Sequence, residues 1–436
     1  MILKSASKNS ELYIGIDLGT SGCRAVAIDT GKKIRGRNTV ILPVPLRQGN
    51  AVEQDPQLWW QAVRQALSGL LATLASQQVR AMAVDGTSAT LLVTDVEGIP
   101  LKPALMYNDA RASGEAGHIA AAAPPDSGAH GASSALAKLL WLQQQPGMAH
   151  AAHALHQADW IAGKLSGGFG VSDENNCLKL GYDVAQRSWP TWLDKLGVRR
   201  ALLPRVVPAG ATIGIVTSEI SREFGLPPDT RVVTGATDSI AAFLATGARQ
   251  PGEAVTALGS TLAIKIVSPH PVSAPAWGVY SHRLGNLWLA GGASNSGGAV
   301  LRQYFDQARL EAMTPALDPE RPTGLDYYPL PAPGERFPVC DPHLMPRLTP
   351  RPNDDVLFFQ GILEGMAHIE HQGYQRLAEL GAPYPVSIRT TGGGAVNSAW
   401  TRIRGRLLGV PMIEATQRDA AYGAALLALH GATSDY

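Results

Sequence analysis

Residues 14–29 read IGIDLGTSGCRAVAID: two short apolar runs, Tyr13–Ile16 and Ala25–Ile28, flank a polar turn of Gly19, Thr20, Ser21 and Gly22. Branched residues on both sides of a glycine-bearing turn predict a strand–turn–strand hairpin. Glycine permits tight backbone geometry, and successive N–H groups in such a turn form a concavity suited to anionic oxygens. The hydroxyls of Thr20 and Ser21 add donors. No Gly-Lys-Ser/Thr follows, so this is not a Walker loop. Asp17 stands where the first strand meets the turn. A carboxylate is a poor phosphate ligand but a good holder of hydrated Mg2+, which neutralises phosphate charge. A purely structural hairpin is the alternative, and a Gly-Thr pair alone does not separate the two.

The pattern returns. VTALGSTLAIKIV, from Val255, has the same strand, Leu-Gly, two hydroxyl residues and strand. Leu18-Gly19-Thr20-Ser21 corresponds to Leu258-Gly259-Ser260-Thr261. Two such units, one opening each half, predict two lobes of related topology facing one cleft. A third glycine cluster, TTGGGAVNSAW from Thr390, follows a strand at Val386–Thr390 and precedes a helix starting near Asn397. Gly392, Gly393 and Gly394 allow close backbone approach by a flat or charged ligand, and the helix presents its N-terminus there. Taken with the two hairpins, this cluster reads as the adenosine side of a nucleotide site. A flexible strand-to-helix turn is the plain alternative.

In TGATDSIAAF, from Thr234, Asp238 ends a strand and opens a helix. As an N-cap it satisfies free N–H groups. A helix N-terminus also favours the ionised carboxylate, which can accept a proton from a hydroxyl attacking a phosphoryl group. AVDGTSATLLV offers Asp85, Thr87, Ser88 and Thr90 at a strand end, a polar cluster suited to binding hydroxyls or a plain polar turn. MYNDARA, with Asn108, Asp109 and Arg111, reads as an ion-paired loop. His368 and His371 are three apart without a visible third ligand. Trp59, Trp60, Trp189 and Trp192 read as helix anchors rather than ligand platforms.

With 436 residues the chain exceeds one typical core and predicts two domains. Its 37 basic and 36 acidic residues give a formal charge of +1, which leaves no electrostatic footprint for nucleic acid. Cys23, Cys177 and Cys340 are far apart and lack CxxC spacing, so neither a zinc site nor a disulfide framework is indicated. Residues 1–12 have no apolar targeting core, and no apolar run reaches membrane-spanning length. A cytoplasmic protein, monomer or homodimer, with no membrane or nucleic-acid partner is expected.

Strands are predicted at 79–84, 91–94 and 231–237. Helices are predicted at 56–74, 135–144, 239–246, 356–380 and 420–429. The Ala-rich stretch from 116 reads as a loop up to the 135–144 helix, and the proline-crowded residues 314–352 as irregular but ordered. The alternation makes this an α/β protein with mixed sheets.

In order and spacing, IDLGTSGCRAVAID, ADWIAGKLSG, GATDSIAAFLATGA, ALGSTLAIKI, GLDYYPLPAPGERFP, TTGGGAVNSAW and RDAAYGAALLAL resemble the FGGY family of carbohydrate kinases over almost the whole chain. That resemblance implies a two-lobed actin-like ATPase (ribonuclease H-like) fold with mixed sheets and a central cleft. Residues 1–247 would form the sugar and Mg/phosphate lobe. Residues 248–436 would form the nucleotide lobe, with the last helix packing back on the first. ATP and Mg2+ are the implied cofactors.

Asp17 would organise the metal beside the substrate, with Thr20 and Ser21 facing the transferred phosphoryl group. Gly259, Ser260 and Thr261 would contact the nucleotide phosphates, and Gly393, Gly394, Ala395 and Asn397 would line the adenosine pocket. Asp238 would bind the sugar and act as its base. Glycerol and xylulose kinases of the family carry a Gln/His- or Arg/Glu-containing segment where this chain has Asp85-Gly86-Thr87-Ser88. That segment is similar to the ribulose branch and makes Ser88 and Ser239 candidate sugar contacts. Tyr107 replaces a common Trp. The expectation is a sugar kinase converting D-ribulose to D-ribulose 5-phosphate, with D-xylulose or another polyol as the alternative acceptor. An actin-like ATP-binding scaffold is the alternative of another class; the chain's stop at Tyr436, with no appended peptide-binding domain, counts against it.

Overall fold

The computed structural model describes residues 11–433. The segment without an apolar targeting core, residues 1–10 for the most part, lies outside the described residues. The chain divides into two compact units, residues 1–245 with 419–436, and residues 246–418.

The first unit is built on a six-stranded sheet ordered Thr212–Ile215, Arg231–Thr237, Val79–Gly86, Leu12–Leu18, Gly22–Asp29 and Ile34–Ile41. The last three form an antiparallel meander. Leu12–Leu18, Val79–Gly86 and Arg231–Thr237 run parallel. Every side chain of Leu12–Leu18 is buried, as expected of a central strand covered on both faces. One face carries helix Pro56–Leu71, whose start is set by Asp55 accepting from the Gln57 N–H and by proline at its first position. Trp59 and Trp160 meet edge-to-face in this core, at 6.4 Å between ring centres. Both indole N–H groups are satisfied, by Gln54 and by the Gly98 carbonyl.

The other face of the sheet carries the last helix, Ala420–Thr433. Gly15 and Gly423 make that packing possible. A Cβ on Gly15 would lie 2.0 Å from the Ala421 carbonyl oxygen, and one on Gly423 would lie 1.8 Å from that of Ala241 in helix Asp238–Ala245.

In the second unit the sheet order is Tyr280–Leu284, Leu287–Ser294, Leu262–Ser268, Glu253–Leu258, Ser387–Thr391 and Met412–Ile413. The first four are antiparallel to one another in turn, and the last two continue parallel to Glu253–Leu258. Each unit therefore opens with an antiparallel hairpin whose first strand also pairs in parallel with a later strand. The near-repeat read from the sequence is the turn of that hairpin in both. Leu18 pairs with Cys23 across a four-residue turn, and Leu258 pairs with Leu262 across a three-residue one.

Helix Asp355–Glu379 packs Phe358, Phe359, Ile362, Leu363, Met366, Ala367, Tyr374 and Leu377 into the core of this unit. Residues 317–354 form no helix or strand, yet Tyr327 and Phe337 from this stretch are core residues. One expectation fails here. Ser113–Ala122 is a helix, not a loop. Alanine is the strongest helix former, and Ile119 anchors the helix by burial, which outweighs the glycines at 114 and 117. Among the described residues no helix is long and apolar enough to cross a membrane.

Candidate active site

In the first unit, parallel register creates the site. Asp17 stands directly opposite Asp85, and Leu18 opposite Gly86, on adjacent parallel strands. Gly86 in turn pairs with Thr237, so Asp238 opens its helix one residue beyond the same level. The carboxyl ends of three neighbouring strands thus deliver three carboxylates to one region, where open α/β sheets hold their ligands.

Asp17 is buried, and its Oδ2 accepts from Arg24 Nη1 at 3.0 Å, the residue paired with it across the hairpin. Burial raises its pKa above the ordinary value, while Asp85 and Arg24 pull it down. Asp85 is fully buried, and neither carboxyl oxygen meets a hydrogen-bond donor among the described residues. Burial, followed by the charges of Asp17, Asp238 and Asp419, pushes its pKa well up. When protonated it can donate to Asp17, which lowers one pKa and raises the other. Asp238 is half-buried, and its Oδ1 accepts from the Ser239 N–H at 2.6 Å.

Asp419 was missed in the sequence. It sits just before the last helix, where its Oδ1 accepts from the Ala421 N–H at 3.2 Å. The only local signal is that of an N-cap, an Asp ahead of an Ala-rich run. Its approach to Asp17 and Asp85 depends on the helix folding back across the sheet.

The 85–90 segment needs a correction. Thr87 and Thr90 do not offer hydroxyls for binding. Their Oγ1 atoms lie 2.5 Å apart, and Thr87 also donates its N–H and hydroxyl to Gln157 Oε1, at 3.1 and 2.9 Å. Both threonines are buried, and Ser88 between them is the half-buried one. Ser239 is exposed beside Asp238, 3.3 Å from the Thr237 hydroxyl. Thr20 is half-buried and Ser21 exposed on the hairpin turn. Asp109 and Arg111 form the ion-paired loop expected, at 2.8 Å, with Glu53 as Arg111's second partner. Among the described residues no group of three or more His, Cys, Asp or Glu side chains is arranged to hold a metal ion. A cation would rest on one or two carboxylates and complete its shell from water and phosphate, the ordinary manner of Mg2+. Asp17 and the donor-free oxygens of Asp85 fit that demand.

The second unit contains a cavity of about 450 Å3 lined by Gly259 and Ser260 from the hairpin turn, Gly393, Gly394 and Asn397 from the glycine cluster, and Trp400. Strands Glu253–Leu258 and Ser387–Thr391 are parallel with Ala257 opposite Thr391, so their turns emerge side by side. Thr261 and Ala395 are not among the lining residues. Gly392 adopts φ +81°, and a Cβ there would come within 2.5 Å of the Leu258 carbonyl oxygen. Asn397 caps the following helix by accepting from the Trp400 N–H at 2.9 Å, and its Nδ2 reaches Thr314 at 3.4 Å. Arg302 also lines the cavity, and its Nη2 donates to Ser260 Oγ at 2.8 Å. This exposed cation beside the turn carried no motif that would have marked it. Beneath both turns lies a buried pair: Arg404 meets Glu370 at 2.6 and 2.7 Å and also donates to Thr390, while Thr256 donates to Glu370.

Comparison with known proteins is consistent with these two halves. The model of the N-terminal domain of the FGGY carbohydrate kinases matches residues 12–245, and that of the C-terminal domain matches residues 254–432. The chain is 26% identical to a xylulose kinase of Escherichia coli (strain K12), over 96% of this chain and 89% of that protein. It is 28% identical to a xylulose kinase of Streptomyces coelicolor, over 95% and 86%. Among solved structures, a xyloylose kinase from Brucella ovis superposes with a TM-score of 0.88 at 25% identity, covering 98% of this chain and 91% of that one.

Proposed function

The chain belongs to the FGGY family of carbohydrate kinases, and from that premise we propose that it transfers the γ-phosphoryl group of ATP to the terminal hydroxyl of a ketopentose. One observation carries the reading: parallel strands bring Asp17, Asp85 and the Asp238 helix start to one level of the first unit. Asp238 is the base that takes the proton from the attacking hydroxyl, its helix N-terminus favouring the carboxylate form. Asp17 holds Mg2+, which when bound offsets the charge of the phosphates. Arg24 keeps the Asp17 carboxylate oriented. Thr20 and Ser21 face the transferred group. Gly259 and Ser260 take the nucleotide phosphates, and Gly393, Gly394 and Asn397 take the adenosine, Thr261 and Ala395 lying outside the cavity lining.

For the acceptor, D-ribulose is favoured by the small-hydroxyl segment Asp85-Gly86-Thr87-Ser88. With Thr87 and Thr90 bonded inward, Ser88 and Ser239 are the hydroxyls left to contact sugar. D-xylulose, which differs in configuration at one carbon, is the second reading, favoured by relatives named xylulose kinase.

Sugar-dependent ADP release with a panel of free sugars tests both. D-ribulose should exceed D-xylulose at least tenfold in kcat/KM. The reverse order replaces the acceptor, and no release with any sugar refutes the kinase reading. Asp238→Ala should still bind nucleotide while losing a factor of about 10²–10⁴ in turnover. Retained turnover would remove Asp238 from the role of base.

A further inference from the structure

Lys138 is fully buried in the first turn of helix Ala135–Gln143, and among the described residues no carboxylate pairs with it. Its Nζ donates to the Ala89 carbonyl oxygen at 2.7 Å and to the Ser133 carbonyl oxygen at 2.9 Å. Placing an ammonium group there is unfavourable on three counts. It is removed from water, it lacks an anion, and it sits at the positive end of a helix. Burial accordingly pushes its pKa down to about 7, with Asp109 opposing the shift and Lys179 adding to it. A methionine would fill the same space without these costs.

The partner explains the lysine. Thr87–Thr90 is a tight turn, closed by the Thr90 N–H on the Thr87 carbonyl at 3.3 Å. Ala89, its third residue, has φ +67°. Turns with positive φ at this position ordinarily use glycine, because a Cβ is strained there. The alanine is also buried, so water cannot satisfy its carbonyl. The lysine supplies an N–H donor to that carbonyl, and the residue just before it is Ser88.

We propose that Lys138 is a positioning residue for the sugar acceptor: by holding the Ala89 carbonyl it keeps the Thr87–Thr90 turn in the strained form that presents Ser88. This rests on the ketopentose kinase reading, in which Ser88 contacts the sugar. The anchor acts only on the acceptor side, since the nucleotide-cavity residues belong to the second unit.

The test is steady-state kinetics on the full chain with D-ribulose and D-xylulose. Lys138→Met should raise the acceptor KM at least tenfold and leave the ATP KM within twofold. Its Tm should stay close to the wild type's, because loss of the buried charge offsets the two carbonyls left without a donor. Lys138→Gln, which keeps an uncharged N–H donor group, should fall between wild type and Lys138→Met. Adding Ala89→Gly to Lys138→Met should recover at least threefold in acceptor KM, because glycine adopts φ +67° without help. An unchanged acceptor KM in both Lys138 variants overturns the inference while the kinase reading stands. So does a parallel loss of Tm, kcat and both KM values that glycine does not rescue. A wild-type chain inactive on every sugar overturns the kinase reading and this inference together.

Discussion

Gly423→Ala is the smallest change that should damage the first unit most. The new Cβ would lie 1.8 Å from the Ala241 carbonyl oxygen and 2.5 Å from its carbon, both backbone atoms of helix Asp238–Ala245. Real Cβ atoms essentially never come closer than 3.0 Å, so no rotamer relieves the clash and the two helices must part by more than about 1 Å. Ala421, Ala424, Ala425 and Ala428 are buried along the same helix and would shift with it. A gap of 0.5–1 Å already forfeits roughly a quarter to a half of each dispersion well. Overpacking of this kind costs about 3 kcal/mol, at the upper end of its usual range. For a unit of this size that lowers Tm by about 6–12 °C.

The catalytic effect should match the stability effect in free energy, since each tenfold in rate is about 1.4 kcal/mol. Asp238 begins the helix that must move, and Asp419 precedes the helix that carries the substitution. A displacement near 1 Å costs roughly 100-fold in kcat. Differential scanning calorimetry and sugar-dependent ADP release measure both. Gly114→Ala is the control: nothing lies within 4 Å of its Cβ, and it sits in a helix where alanine is the better former. It should leave activity unchanged and Tm equal or slightly higher. A Gly423→Ala protein that melts within about 2 °C of wild type with unchanged kcat would refute the claim that backbone contact between these helices fixes the site.

Two further outcomes follow from buried charges. Glu370→Gln leaves Arg404, itself fully buried, without its carboxylate; breaking such a pair costs about 3–5 kcal/mol, and denaturant titration should find it together with weaker ATP binding, since the pair braces Thr256 and Thr390 ahead of both nucleotide turns. A loss below about 1 kcal/mol would show that the pair is dispensable. Asp173 is held up to about 7 by burial and by Asp159, despite accepting from Asn175 and Asn176. An acid with a raised folded pKa binds its proton more tightly folded than unfolded, so its contribution is full below about pH 4 and is lost as pH rises through 7. Asp173→Asn should therefore flatten the decline of stability across that window, and an unchanged slope would place the decline elsewhere.

How much of this could be read from sequence depends on how local each cause is. The two hairpins were legible because a strand's branched residues and a glycine turn are neighbours in the chain, and because the pattern occurs twice. Asp17 and Asp238 were legible for the same reason, each marking the end of a strand. The helix at 113–122 was not, because the Ala-rich stretch ahead of Pro124-Pro125 read as a loop while the burial of Ile119 is tertiary. The same division separates the site residues. Thr87 and Thr90 looked like ligand groups until Gln157, seventy residues away, proved to be the partner of Thr87, and Thr87 that of Thr90.

Asp419 was missed because the groups it acts on, Asp17 and Asp85, lie hundreds of residues earlier in the chain. Asp85 is the sharpest case. Its type and its place at a strand end are both in the sequence, but its character comes from standing in register with Asp17 and from having no hydrogen-bond donor to either oxygen among the described residues. Periodicity sets which face a strand residue takes. Only the pairing decides which other carboxylate it must share that face with, and that shared charge is what makes this end of the sheet suited to a cation and a proton transfer.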